Sequence, residues 1–138
     1  MRKQNNLFFM LNIMIPILMG IFIYLFYSPN TIFVKFVNTY INIIIFDRNV
    51  FIDILRNYFC DFCWSYSLSF TISYIYKNQL SIITTIVIPV SVGLCLEILQ
   101  LTSLTSGTYD LLDIFMESLA SVICYLVLKK RNEIKGEL

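Results

Sequence analysis

Leu7–Tyr27 reads LFFMLNIMIPILMGIFIYLFY, almost wholly apolar and without one charged residue. A hydrocarbon core about 30 Å thick is crossed by about 20 apolar residues at about 1.5 Å of rise each, so this stretch is long enough to span. Three similar runs follow, at 60–76, 80–101 and 110–128. Four such runs in 138 residues leave little chain outside a bilayer. Composition agrees, with 58% hydrophobic residues, 14% charged residues and a mean hydropathy of +0.75. A water-soluble domain of this size could not cover so much apolar side chain with so little polar surface. The expectation is a single all-α membrane domain over 1–138, with four transmembrane helices.

Arg2 and Lys3 raise the alternative of a cleaved signal sequence. The run exceeds the roughly 7–15 apolar residues of a signal core, and no small-x-small site follows it. Ser28-Pro29-Asn30 reads instead as a turn closing a retained helix. The next stretch, TIFVKFVNTYINIIIF over 31–46, is short and interrupted by Lys35, Asn38 and Asn42. It reads as an amphipathic helix lying in the interface, or as a re-entrant segment, after the first span.

Lys and Arg are retained on the cytoplasmic side of a membrane, and their distribution sets the orientation. With the N-terminus inside, the cytoplasmic segments hold Arg2, Lys3, Lys77, Lys129, Lys130, Arg131 and Lys135, and the outer ones Lys35, Arg48 and Arg56. Seven against three places both termini in the cytoplasm of a multi-pass protein of the cell membrane.

This topology gathers acids on the outer side. Helix two starts with Asp61, helix three ends with Glu97 and Gln100, and helix four begins with Asp110, Asp113 and Glu117. Glu97 and Gln100 are three apart, and Asp110, Asp113 and Glu117 fall at i, i+3 and i+7, so each set shares one helix face. Glu117 lies about 9 Å inside helix four, and Glu97 a similar distance from the end of helix three. The two are expected to meet at one depth. A carboxylate in a membrane costs on the order of 2.5–3.5 kcal/mol at mid-bilayer, and such groups turn toward a bundle interior or a watery cleft. The functional reading is a polar pocket; the structural one is a hydrogen-bonded clasp between helices. For Asp110, capping of helix four after Gly107 stands beside the pocket reading, since acids suit a helix N-terminus.

Three motifs on these helices resemble the VanZ-like family of small integral membrane proteins. Asn57-Tyr58-Phe59-Cys60-Asp61-Phe62-Cys63-Trp64 is similar to the family's N-x-x-P-D-F-L-W at the start of its second helix. Glu97-Ile98-Leu99-Gln100 resembles its E-x-x-Q, and Gly107-Thr108-Tyr109-Asp110-Leu111-Leu112-Asp113 its G-T-F-D-x-x-D. The order and spacing match over 57–128. The resemblance carries over Asp61, Trp64, Glu97, Gln100, Asp110 and Asp113, to which the helical-face argument adds Glu117. It implies a cell-envelope protein, in a family named from a member linked to low-level resistance to glycopeptide antibiotics, notably teicoplanin. Cys60 stands where relatives often have proline and Cys63 where they often have leucine. The arginine common between their last two helices is absent from 101–109, which leaves Arg56 as the nearest basic partner for the acids.

Other signals narrow the chemistry. With no histidine, imidazole-ligated metals and histidine-activated nucleophiles are excluded. Cys60-x-x-Cys63 at a helix start permits a thiol oxidoreductase, but Cys95 and Cys124 lie in apolar runs and offer no second external pair. Pro89 inside helix three predicts a kink, with Thr84, Thr85 and Ser91 near the freed backbone groups. Ser65 and Ser69, with Ser67 and Ser73 nearby, suit close helix contact. No phosphate-binding loop or nucleic-acid patch is present, and no cofactor is expected. The partners expected are membrane lipid and, at the pocket, a cation, a glycopeptide or another envelope amphiphile. Binding is the leading reading over catalysis. An enzyme acting on a lipid-linked envelope precursor through paired carboxylates, and a purely structural partner of another membrane protein, are the alternatives.

Overall fold

Apolar surroundings leave backbone amides and carbonyls no partner but one another, and within a single segment only a helix satisfies them. In a computed structural model that describes residues 6–28, 32–41, 49–76, 81–102 and 110–134, every regular element is helical. The elements are α1 (Asn6–Tyr27), α2 (Ile32–Asn38), α3 (Val50–Ile54), α4 (Cys60–Ile75), α5 (Ile88–Leu101) and α6 (Leu111–Ile134). A π-helical turn, Leu55–Phe59, joins α3 to α4 without a break, and a second, Ile83–Val87, leads into α5.

Three of these helical runs are long and apolar enough to cross a membrane: Asn6–Tyr27, Ile83–Leu101 and Leu111–Ile134. The fourth expected span, α4, has 16 residues, among them Asp61 and four serines. Its serines do not face outward; Ser65, Ser67, Ser69 and Ser73 are all buried. The helix also begins earlier than its apolar run, because Asn49 accepts a hydrogen bond from the Ile52 amide at 2.9 Å and caps α3. At its other end the chain overshoots expectation again. α6 runs to Ile134, past the apolar limit at 128, since Lys129, Lys130 and Arg131 continue a helix as readily as they end a span. Of the 31–46 segment, α2 and the turn to Ile41 are described, and 42–48 lies outside the described residues, as does the 103–109 link.

α4 is the central helix, packed on α1 along one side and on α6 and α5 along the other. Small hydroxyls let it come close on both. Ser67 donates to the Ile13 carbonyl of α1 at 3.0 Å, and Ser65 to the Glu117 carbonyl of α6 at 3.1 Å. Ser69 donates to Ser121 at 3.0 Å, and Ser73 shares a hydrogen bond with Thr85 at 3.1 Å. This is how helices associate where lipid offers no hydrophobic drive between them.

At Pro89, where the sequence predicts a kink, the helix is preceded by the π turn, in which the Ile88 amide donates to the Ile83 carbonyl. Ser91 bonds the Val87 carbonyl at 2.7 Å, while Thr85 turns its hydroxyl to Ser73 instead of back along its own helix.

One end of the bundle, where α1 begins and α6 finishes, is filled by Phe9, Phe70, Cys124 and Leu128. The Arg131 guanidinium stacks over Phe8 and Phe9, 4.2 and 5.0 Å from the ring centres. The acids are at the opposite end.

Candidate functional site

Two starts and one finish of a helix meet at the acidic end. The start of α4 supplies Asp61, the last turns of α5 supply Glu97, and the first two turns of α6 supply Asp113 and Glu117. Asp110 precedes α6 and caps it, its Oδ1 accepting the Leu112 amide at 2.9 Å. The same side chain also links elements, because its Oδ2 accepts the Tyr58 hydroxyl at 3.1 Å. Its backbone amide donates to Glu97 Oε2 at 3.1 Å, which ties the end of α5 to the start of α6. Capping and inter-helix linkage are thus combined in one residue.

Beside this corner the Asp61 carboxyl lies near the Asp113 carboxyl and near the Trp64 indole, close enough for each to act on it electrostatically. Two carboxyl groups so close share a proton or gather a cation, since two bare charges in low dielectric repel strongly. Glu97 and Glu117 add their charge to the same neighbourhood. Glu97 and Glu117 are only 4% and 3% exposed, so this end of the bundle holds buried acids and not a solvated rim.

Glu117 is held by an absence. Its carboxyl rests directly on Gly93 of α5, where any side chain would occupy its place. Gly93 is one turn before Glu97, so the two glutamates stack one turn apart along α5 and do not meet at a single depth. Glu117 Oε2 is buried with no hydrogen-bond partner among the described residues. Buried acceptors left unpaired are rare and costly, on the order of 1–3 kcal/mol or more when charged, which sets Glu117 apart from the other buried polar groups of the bundle.

Six of the seven site residues expected from the sequence therefore come together: Asp61, Trp64, Glu97, Asp110, Asp113 and Glu117. Gln100 does not join them; it is half-buried on α5 and no hydrogen bond ties it to the acids among the described residues. Arg56 is not their counter-ion. Its guanidinium bonds Asn57 Oδ1 through Nε and Nη2 at 3.0 and 2.9 Å, and pairs with Asp53 at 3.9 Å. Tyr58, in the same π turn, is the residue that reaches the acids, through Asp110. Donating to Asp110 raises the Tyr58 phenol above its ordinary pKa, because losing the proton would break that bond and set two anions together.

Sequence reasoning missed Gly93 and Tyr58. Gly93 had a signal, a glycine at i−4 from Glu97 on the same face. Tyr58 had none, since its partner is 52 residues away. Among the described residues no group of three or more carboxylates and thiols is arranged to hold a metal ion. Cys60 and Cys63 are free, buried thiols on the α1 side of α4, with the Cys60 sulfur 3.9 Å from the Gly20 carbonyl.

Compared with protein-family models, curated proteins and solved structures, the chain matches none of them.

Proposed function

We propose that this chain is a VanZ-like integral membrane protein of the cell envelope, whose acidic pocket binds a cation or the cationic headgroup of an amphiphile. In this reading α4 is a fourth span, both termini are cytoplasmic, and the acidic end lies in the outer half of the bilayer. The observation that carries it is the convergence of Asp61, Glu97, Asp113 and Glu117 from three helices with no Lys or Arg paired to them among the described residues. A packing clasp would match donors to acceptors. Here the deepest acid is left with an open oxygen. An ammonium group suits the site because its three donors can be shared among acceptors brought in by separate helices. The family resemblance supports the envelope setting and rests on the three motifs alone. An effect on glycopeptide susceptibility, notably to teicoplanin, is the cellular role it suggests.

The test uses the full chain in neutral-lipid nanodiscs. Ethylammonium is expected to raise the thermal midpoint in a saturable way, and Asp61→Asn and Asp113→Asn to weaken that about tenfold or more while the protein still accumulates in membranes. Equal stabilisation of wild type and both variants would sink the reading. The Asp61–Asp113 pair also suits general acid–base chemistry on a lipid-linked precursor, and turnover lost in the same variants is what that alternative requires.

A further inference from the structure

A second feature touches the acids from the side opposite to α6. Between α1 and α4 lies a half-open cavity of about 390 Å³, bounded by Pro16, Ile17, Gly20 and Ile21 on α1 and by Cys63 and Trp64 on α4. Its walls are almost wholly apolar, and Asp61 stands at its edge. The volume is within the range of small-molecule sites, about 300–1,000 Å³. At Gly20 the two helices come near each other, a Cβ there lying 3.9 Å from that of Cys63, which is ordinary contact. Ile17 and Ile21 are partly exposed on the outer surface of α1, which opens the groove sideways to surrounding lipid.

We infer that the occupant of the acidic site is a single-chain amphiphile with a primary ammonium head, whose hydrocarbon tail lies in this α1–α4 groove. The inference rests on the acidic pocket proposed above and names the class of ligand that pocket takes. Charge complementarity selects the head. The acid cluster has no paired cation among the described residues, and the buried, unpartnered Glu117 Oε2 is an acceptor awaiting a donor. Asp61 joins the two halves, since it belongs to the Asp113 pair on one side and to the groove wall on the other. Pro16 to Tyr24 covers nine residues of α1, about 12 Å of helix at about 1.5 Å of rise each, which suits a medium-length alkyl chain. An anionic head would be repelled by the carboxylates.

Trp64 makes the idea measurable, because it is the only tryptophan in the chain and it lines the groove. Octylammonium carrying a terminal bromine is titrated into full-length protein in phosphatidylcholine nanodiscs, with occupancy read as Trp64 quenching per mole fraction in the bilayer. Saturable quenching is expected, with the equally brominated octanoate inert. Filling the groove with Ile17→Phe plus Ile21→Phe weakens quenching by about tenfold, whereas Leu18→Phe on the far face of α1 leaves it unchanged. Stabilisation by tail-less ethylammonium persists in the groove-filled variant. Should quenching be linear, shared by octanoate, or the same in the groove-filled and Leu18→Phe proteins, the tail site is wrong while the acidic pocket stands. Should ethylammonium also fail to stabilise the wild type, the pocket itself is wrong.

Discussion

The two ends of this bundle solve the same problem in opposite ways. At the end holding Arg131, a cation enters an apolar setting and is met by the faces of Phe8 and Phe9, over a core of Phe9, Phe70, Cys124 and Leu128. At the other end several acids enter a similar setting, and no cation among the described residues meets them. Buried polar groups in a finished structure are normally partnered, and the unmatched cluster is the place where the proposed ligand would supply the missing partner. The matched end is built to hold α1, α4 and α6 together. Between them the hydroxyls of Ser65, Ser69, Ser73, Thr85 and Ser121 keep α4 close to its neighbours without adding charge.

If that division is right, damage to the matched end should be costly to the fold and silent at the site. Phe70 is fully buried and meets Phe8, Phe9 and Tyr66 at ring separations of 5.9, 5.9 and 4.8 Å. Phe70→Ala leaves a void the size of a ring, and the expected loss of stability is about 3–5 kcal/mol. Thermal unfolding in nanodiscs measures it. Ethylammonium should still shift the midpoint of what remains folded, and a variant that unfolds no earlier yet stops responding would reverse the assignment of the two ends.

Gly93→Ala is the corresponding change at the acidic end. The new methyl occupies the place of the Glu117 carboxyl, which must swing away from α5. Overpacking of this kind costs about 1–3 kcal/mol. Because the clash is with one flexible side chain, Glu117→Ala in the same molecule should recover most of the loss. A double-mutant cycle therefore returns a coupling of about 1–3 kcal/mol. Additive single effects would show that Glu117 is not seated on Gly93.

Much of this was legible in the sequence because lipid imposes strict rules. Apolar length gives the helices, and i, i+3 and i+7 spacing gives the acidic face of α6, so Asp113 and Glu117 were already placed together. The short and serine-rich α4 was harder to bound. Hydropathy sees its hydroxyls as polar surface, whereas the fold turns them inward. Arg56 was misjudged because its partners are its own neighbours, Asn57 and Asp53, and it sits in the π turn at Leu55–Phe59, a one-residue change in helical phase that no periodicity announces. The groove was invisible for a related reason. It depends on which faces of α1 and α4 meet, and α1 is apolar all round.

The smallest expected effect probes the rim of the acidic end, where the difference between the two ends should begin to fade. Tyr58 stands in the π turn before α4 and gives its proton to Asp110 at 3.1 Å. Its phenol is raised above the ordinary 10.0 by that bond. A group whose folded pKa is raised contributes stability that is complete below its unfolded value and disappears as pH climbs through the folded one. Wild type should thus lose a small increment of thermal stability above pH 10 that Tyr58→Phe has already lost, so the gap between the two proteins narrows from pH 8 to pH 11. A gap that stays constant with pH would mean that the ring matters and the proton does not, leaving Asp110 held by its cap on α6 and its amide bond to Glu97.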